Sequence, residues 1–231
     1  KLKLSTFAEK IFINTLYTYS YLPKDISEED FLEIKINWII DNNKDELAET
    51  FLEKNNEFKN KKKLIQYLVD KNISTANIAE GCKKVNFISK DIQDSYLQKF
   101  KIYCLIFNNK KNQANLLLDI LREQGKSDKF FDSKVNFLLG ISEKDDGNIN
   151  DKNLLNFYLS SITVKNFNYE PKKNTQKSIW EYLDSANLIN INDFNNKDKI
   201  KSLELAAQED RLEKDKIFDI YKKIPFDLNT L

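Results

Sequence analysis

The two cysteines of this 231-residue sequence, Cys82 and Cys104, are the side chains most able to do covalent chemistry. They can be two separate buried thiols, because free cysteine is among the residue types most often buried. They can instead form an intramolecular disulfide, which requires an oxidising compartment. The choice between the two depends on whether the fold brings both residues to the same level.

Other catalytic chemistry is largely excluded by the composition. The sequence contains no histidine, so it has no Ser-His or Cys-His pair, no His-ligated zinc and no imidazole acid or base. The motifs GxSxG, GxxxxGK[ST], GxGxxG and Ser-x-x-Lys are all absent. Carboxylates are abundant, but without a supporting motif they are typical of solvated helix faces. We therefore expect no enzymatic activity and no cofactor.

The segment SEKDDGNINDKN at 142–153 mimics a calcium-binding EF-hand loop, because Gly147 and Ile149 fall at positions 6 and 8 of that motif. In this register the first, third and twelfth ligand positions hold Ser142, Lys144 and Asn153. A lysine among the ligands and the missing bidentate glutamate do not suit calcium. We interpret the segment as a polar turn and expect no bound metal.

Charge and hydropathy favour neither nucleic acid nor a membrane as a partner. Lys and Arg number 37 and Asp and Glu number 36, which leaves a net charge of +1. The run KNKKK at 59–63 is the one concentrated positive patch, and it lies beside Glu53 and Glu57 without interleaved aromatic residues. Apolar runs are far shorter than the roughly 20 residues of a membrane-spanning helix. We expect no nucleic-acid binding and no transmembrane segment.

The elements that position these residues are predicted to be helices. Four glycines and three prolines are too few for the tight turns of an all-β protein, and apolar residues recur at intervals of three and four. Ser27 suits the N-cap of a helix over SEEDFLEIKINWIID, and Gly125 and Gly140 suit helix C-caps. Further helices are predicted near 7–20, 45–54, 60–71, 75–85, 91–107, 111–124, 128–140, 151–163, 175–187, 197–208 and 213–223.

The polar stretch ISEKDDGNIN at 141–150 is the clearest linker signal in the chain. It divides the sequence into a helical-repeat array over 1–140 and a C-terminal helical segment over 151–231. The second segment can simply continue the array.

One segment of the sequence recurs later in the chain in similar form. Residues 34–52 and 100–118, at an offset of 66 residues, share eight identities in nineteen positions without a gap. Biased use of Lys, Asn and Ile raises the number of chance matches, but the apolar positions also keep their character. We interpret the recurrence as a structural repeat.

The repeated pattern describes a helical hairpin. One helix ends in an Asn-Asn-Lys turn, and the next carries an early alanine, Ala48 or Ala114, that lets the two helix axes approach closely. A weaker copy, NISTANIAEGCKKV, lies between them and places Ala79 at the same position. Three hairpins are predicted, with these alanines buried at the helix crossings.

An offset of 66 is close to twice the 34-residue tetratricopeptide period. The chain resembles tetratricopeptide-like α-solenoids, most clearly in YLQKFKIYCLIFNNKKNQANLLLDILREQG at 96–125 and more loosely over 31–140. Distantly, it is similar to the superhelical array of soluble lytic transglycosylases, although their catalytic Glu-Ser motif is absent. The usual Trp, Gly and Tyr of the first tetratricopeptide helix are out of place. The resemblance implies an all-α fold of stacked antiparallel hairpins.

The repeat register also bears on the cysteines. It places Cys82 midway along the second helix of one hairpin and Cys104 midway along the first helix of the next, so the two sulfurs can share one level. We therefore predict a disulfide. The composition is typical of an AT-rich bacterial genome. Because the sequence begins KLKLSTF and contains no methionine, we expect a preceding segment, which could be a signal peptide. These points favour the periplasm, with the cytoplasm as the alternative.

Two functions are compatible with such an array. The first is a non-enzymatic scaffold or adaptor that binds an unidentified protein through aromatic and Asn residues on the first helices of its hairpins. The alternative is the helical arm of a glycan-processing complex whose catalytic part lies on another chain.

Overall fold

The computed structural model describes residues 4–17, 21–55, 58, 60–89, 91–189 and 196–223. Within these ranges the chain forms twelve α-helices and one short 3-10 helix, and no strand, so the predicted all-α fold class is confirmed. The α-helices are α1 (Thr6–Tyr17), α2 (Glu28–Asp41), α3 (Asp45–Lys54), α4 (Lys61–Ser74), α5 (Ile78–Lys83), α6 (Ser95–Phe107), α7 (Lys111–Glu123), α8 (Lys129–Leu139), α9 (Leu154–Thr163), α10 (Lys177–Ser185), α11 (Lys197–Gln208) and α12 (Lys214–Lys223). The 3-10 helix, Lys84–Phe87, follows α5 directly.

Polar caps fix several of these boundaries. The Ser27 side chain accepts a hydrogen bond from the backbone N–H of Asp30, which begins α2 as the sequence predicts. Asp94 and Asp128 cap α6 and α8 in the same way. Gly140 ends α8 in the left-handed conformation, with φ of 80°, which a residue without a Cβ adopts without steric cost.

The chain divides into two compact units, residues 1–68 and 69–231, and the division falls within α4. The segment 141–150, predicted as a linker, forms no helix and lies inside the second unit between α8 and α9. Since α8 and α9 also pack against each other, this segment joins two neighbouring helices of one unit.

Each unit has its own core. In the first unit α2 and α3 pack together and bury Ile36, Ile39, Ala48 and Leu52. In the second unit α6 packs on α7 and α8, and α9 packs on α8 and α10. A further cluster gathers around Trp180 on α10 and joins it to α11 and α12.

One turn geometry recurs at a fixed interval. Helices α3, α5 and α7 begin at residues 45, 78 and 111, so the interval is 33 residues each time. Two residues before each helix lies a left-handed residue: Asn43, Ala76 or Asn109, with φ of 51°, 54° and 60°. In every case its backbone N–H donates to the carbonyl three residues back, and the next N–H donates to the carbonyl five residues back.

The helices before these turns keep the same interval. Ile36 on α2, Val69 on α4, Ile102 on α6 and Val135 on α8 are each 33 residues apart, and the exposed fraction of all four is 0%. Successive first helices therefore present the same position to the interior, and α8 follows the register of α2, α4 and α6.

The second helices correct one sequence prediction. Ala48 and Ala114 are the fourth residues of α3 and α7, and both are fully buried, as predicted. The fourth residue of α5 is Gly81, whereas Ala79 is exposed, so the packing role predicted for Ala79 is wrong. The helices come close together here, because a Cβ on Gly81 would lie 3.0 Å from Cβ of Asn72, so Asn72 would have to shift by a few tenths of an ångström to admit it.

Candidate functional site

The first unit contains a pocket of about 450 Å³, which we call the aromatic pocket because four of its nine lining residues are aromatic. Residues of α1, α2, α3 and the segments beside them line it: Tyr17, Leu22, Glu28, Phe31, Leu32, Lys35, Phe51, Asn55 and Phe58. Phe31 lies on α2, which precedes one of the recurrent turns, and Asn55 lies directly after α3. The sequence expectation that aromatic and Asn residues of the first helices bind the partner stays a prediction.

Three contacts shape this pocket. The Tyr17 hydroxyl at the end of α1 donates to the carbonyl oxygen of Lys35 at 2.6 Å, which fixes α1 against α2. The Phe51 ring meets the Tyr17 and Phe58 rings edge to face, with centroids 6.1 Å and 5.2 Å away. Because these residues are far apart in sequence, the wall exists only once the three helices have packed.

The Lys35 side chain supplies the positive charge of the pocket. Its ammonium lies 4.4 Å from the centroid of the Phe31 ring, one helical turn earlier on α2. Partial burial lowers the pKa of Lys35, and burial raises the pKa of Tyr17, so the tyrosine remains a neutral donor. Among the described lining residues there is no cysteine, serine or threonine.

The predicted cysteine pair is brought together in the second unit. The sulfurs of Cys82 on α5 and Cys104 on α6 lie 2.07 Å apart, at disulfide distance, and their Cα atoms are 5.3 Å apart. Both residues are buried, with exposed fractions of 8% and 3%. Cys82 lies near the end of the short α5, and Cys104 lies three residues before the end of α6.

The ammonium of a buried lysine on α8 contacts the carboxylates of the loop that resembles a calcium site. Lys134 on α8 is 0% exposed, and its ammonium lies 2.8 Å and 2.9 Å from the two carboxylate oxygens of Asp145 and 2.8 Å from Asp146. The loop closes on itself, because the N–H of Gly147 donates to Asp145 and the N–H of Asn148 donates to Asp146. The positive charge beside these carboxylates is therefore the Lys134 ammonium of the chain itself.

This lysine site was missed by sequence reasoning. Burial alone would raise the pKa of Asp146, but hydrogen bonds from Lys134 and Asn148 outweigh it and hold the pKa at about 2. The one sequence feature that could have indicated this site is the adjacent pair Asp145 and Asp146, whose two negative charges need a nearby cation when they are packed against a helix. Their partner, eleven residues earlier, lies on a helix where an exposed lysine is the usual expectation.

A smaller pocket of about 280 Å³ lies in the second unit, between the segment 168–171 and helices α10 and α11. Leu183 and Leu203 contribute apolar surface to it. Two of its charged residues, Glu170 and Lys199, pair with each other at 3.4 Å. Because these two charges pair with each other, the smaller pocket is a weaker candidate for a binding site than the aromatic pocket.

No known protein family, curated protein or solved structure matches this chain. Among the described residues, no group of three or more His, Cys, Asp or Glu side chains is placed to hold a metal ion. No helix of the described part is long and apolar enough to cross a membrane.

Proposed function

We propose that this chain is a non-enzymatic helical-repeat scaffold or adaptor that binds another protein. In this proposal the hairpins α2–α3, α4–α5 and α6–α7 are tetratricopeptide-like units that stack as an α-solenoid. The 33-residue recurrence of one turn supports this assignment, since it is close to the tetratricopeptide period. The small buried residues Ala48, Gly81 and Ala114, each fourth in its helix, support it further.

The aromatic pocket is the single observation that carries the binding role. Its volume of about 450 Å³ suits one or two side chains of a partner, and rigid aromatic walls are the usual anchors of protein interfaces. The Phe31 ring and the Lys35 ammonium lie on a first helix, where repeat proteins commonly present their ligand surface. The partner is therefore expected to insert an apolar side chain here.

We further propose that the protein works in a bacterial cell envelope. The support is the buried Cys82–Cys104 pair at disulfide distance, since such bonds persist in oxidising compartments. The cytoplasm is the alternative, and the redox state of the two thiols in cells decides between them.

Site-specific photo-cross-linking in the native bacterium tests the binding role. A photoreactive residue at Leu22, which is 50% exposed at the pocket, is expected to capture one protein. The same residue at Lys111, exposed on α7, is the control and should not capture it. Phe58→Ala should abolish the capture, because it removes one wall of the pocket and Phe58 itself lies outside the helices.

Two results would contradict the proposal. One is the absence of any pocket-dependent protein cross-link at Leu22. The other is Phe58-dependent binding of purified glycan strands, which would favour the alternative role as the arm of a glycan-processing complex.

A further inference from the structure

The outer face of α7 carries two exposed aliphatic residues. Leu116 and Ile120 are four residues apart, so they lie on the same face of the helix, and their exposed fractions are 63% and 39%. The opposite face of α7 is buried through Ala114, Leu118 and Leu121. Leu116 and Ile120 therefore lie on the side of the helix that is turned away from the core of the second unit.

The first copy of the repeat has polar residues at the same two positions. With the offset of 66 residues, Leu116 corresponds to Thr50 on α3, and Ile120 corresponds to Lys54. The fourth residue of each helix is a fully buried alanine, so α3 and α7 pack on their first helices in the same way. A helix at this place in a hairpin thus packs without apolar residues at the two positions, which indicates that those of α7 serve a contact outside the hairpin.

The start of α7 is positively charged. Lys110 and Lys111 are adjacent and exposed there, and the Lys111 ammonium donates only to a neutral group, the carbonyl oxygen of Leu139 at 3.4 Å. The positive end of the helix dipole adds to the two lysine charges.

The end of α7 is negatively charged. Glu123 is exposed in the last turn, and Asp119 lies one turn earlier on the same side as Leu116. The one guanidinium nearby, that of Arg122, is shared between Asp119 at 3.2 Å and Asp132 of α8 at 3.1 Å. Three carboxylates against one guanidinium leave this end acidic, and the negative end of the helix dipole adds to it.

We infer that α7 is an interface between two copies of this chain, which pack their α7 helices antiparallel about a two-fold axis. This arrangement places the basic start of each helix against the acidic end of the other, whereas a parallel arrangement would bring like charges together. One axis satisfies both sets of residues: the midpoint of Lys111 and Glu123 is residue 117, and the midpoint of Leu116 and Ile120 is residue 118. Leu116 of each copy then meets Ile120 of the other, as in an isologous dimer.

Sedimentation velocity of the full chain tests the association. Because the apolar part of this surface is small, we expect a weak dimer with a dissociation constant of the order of 100 µM. The sedimentation coefficient should rise from the monomer value at about 5 µM toward the dimer value at about 1 mM.

The apolar contact is tested by a variant that copies the first hairpin. Leu116→Thr/Ile120→Lys gives α7 the residues that α3 carries at the equivalent positions. It should weaken dimerisation at least about tenfold and leave the unfolding midpoint of the dilute protein within about 2 °C. The matched control is Phe218→Lys, which removes a side chain of 64% exposed fraction from α12 and should leave dimerisation unchanged.

A charge exchange tests the antiparallel orientation. Glu123→Lys alone, and Lys110→Glu/Lys111→Glu alone, should each dimerise at least about tenfold more weakly than the natural chain, because like charges then meet at both ends. Both variants place charges that suit the helix dipole, so neither should lose its fold. An equimolar mixture of the two should dimerise again, since opposite charges meet at both ends of the mixed pair.

The inference is overturned if the chain stays monomeric at about 1 mM, or if Leu116→Thr/Ile120→Lys dimerises as well as the natural chain. Equal weakening by Phe218→Lys would show unspecific association, and failure of the mixture to dimerise would contradict the antiparallel pairing. A monomeric chain in which a photoreactive residue at Leu116 captures a different protein would assign this face to that protein instead. Each of these results leaves the aromatic pocket and the proposed function unaffected, because the pocket lies in the first unit.

Discussion

The Lys134 ammonium lies 2.8 Å and 2.9 Å from the two carboxylate oxygens of Asp145, and both side chains are buried, with exposed fractions of 0% and 7%. This contact fixes the segment after α8 to the helix itself. A buried charge without its partner is costly, since its desolvation is no longer offset. Lys134 and Asp145 therefore depend on each other for stability.

The first prediction concerns this pair. Lys134→Met keeps the length of the side chain but leaves two carboxylates without their cation, so the free energy of unfolding should fall by about 3–5 kcal/mol. Urea denaturation followed by circular dichroism measures the change. The double variant Lys134→Met/Asp145→Asn should recover part of the loss, because it also removes the carboxylate left unpaired.

The control for this prediction is Lys129→Met, an exposed position on the same helix, which should change stability by less than about 0.5 kcal/mol. Equal effects of Lys129→Met and Lys134→Met would show that burial of the ammonium contributes nothing.

The second prediction is the titration of Asp146. Its pKa of about 2 lies below the unfolded value of about 3.9, so its contribution to stability is present above that value and is lost as the pH falls toward 2. Carbon NMR of the side-chain carboxyl should give this low pKa, and Lys134→Met should raise it. An unchanged pKa in the variant would show that Lys134 does not hold the carboxylate in its charged form.

The third prediction tests the 33-residue register. Ala114→Leu and Gly81→Leu should each destabilise the protein by about 1–3 kcal/mol or more, because both positions are buried at close helix contacts. Ala79→Leu adds the same bulk at an exposed position and should be nearly neutral. Thermal unfolding compares the stability of the three variants. An equal loss of stability in Ala79→Leu and Gly81→Leu would contradict the 33-residue register and favour Ala79 as the packing residue of the middle copy.

Local signals explain why so much of the helical fold could be predicted from sequence. The cap at Ser27 and the Asn-Asn-Lys turns act over a few residues, and their outcome does not depend on distant packing. The middle copy was misplaced because its alanine was matched by residue type. A step of 33 residues from Ala48 leads to Gly81, whereas matching by residue type selected Ala79, two residues earlier.

The candidate sites were harder to predict because each needs distant parts of the chain. The aromatic pocket combines Tyr17, Phe31 and Phe51 from three helices, and no single stretch of sequence contains its wall. The burial of Lys134 likewise depends on a loop that returns across α8. The cysteine pair was predicted from a register that matched Ala79 with Ala114 and placed both cysteines midway along their helices. The structure does bring the sulfurs to disulfide distance, but it places Cys82 near the end of α5 and Cys104 near the end of α6, so the predicted midway positions are wrong.

The fourth prediction is that calcium and zinc leave the protein unchanged. Asp145 and Asp146, the carboxylates of the loop that resembles a calcium site, already hold the Lys134 ammonium. Zinc would find two cysteines and no histidine. Isothermal titration calorimetry should detect no stoichiometric site of micromolar affinity for either ion, and detection of such a site would contradict the prediction.

The last prediction is that Cys82 and Cys104 are joined by a disulfide in the protein isolated from its native cell. Their sulfurs lie at bonding distance, and the bridge closes a loop between residues 22 positions apart. Such a loop contributes about 3 kcal/mol to stability, so a reductant should lower the unfolding midpoint by roughly 6–12 °C. Alkylation of the unfolded, non-reduced protein should label neither cysteine, whereas the double variant Cys82→Ser/Cys104→Ser should be insensitive to reductant. Labelling of both thiols without reductant would remove the bridge and return the protein to the cytoplasm, but it would leave the aromatic pocket of the first unit and its proposed partner unaffected.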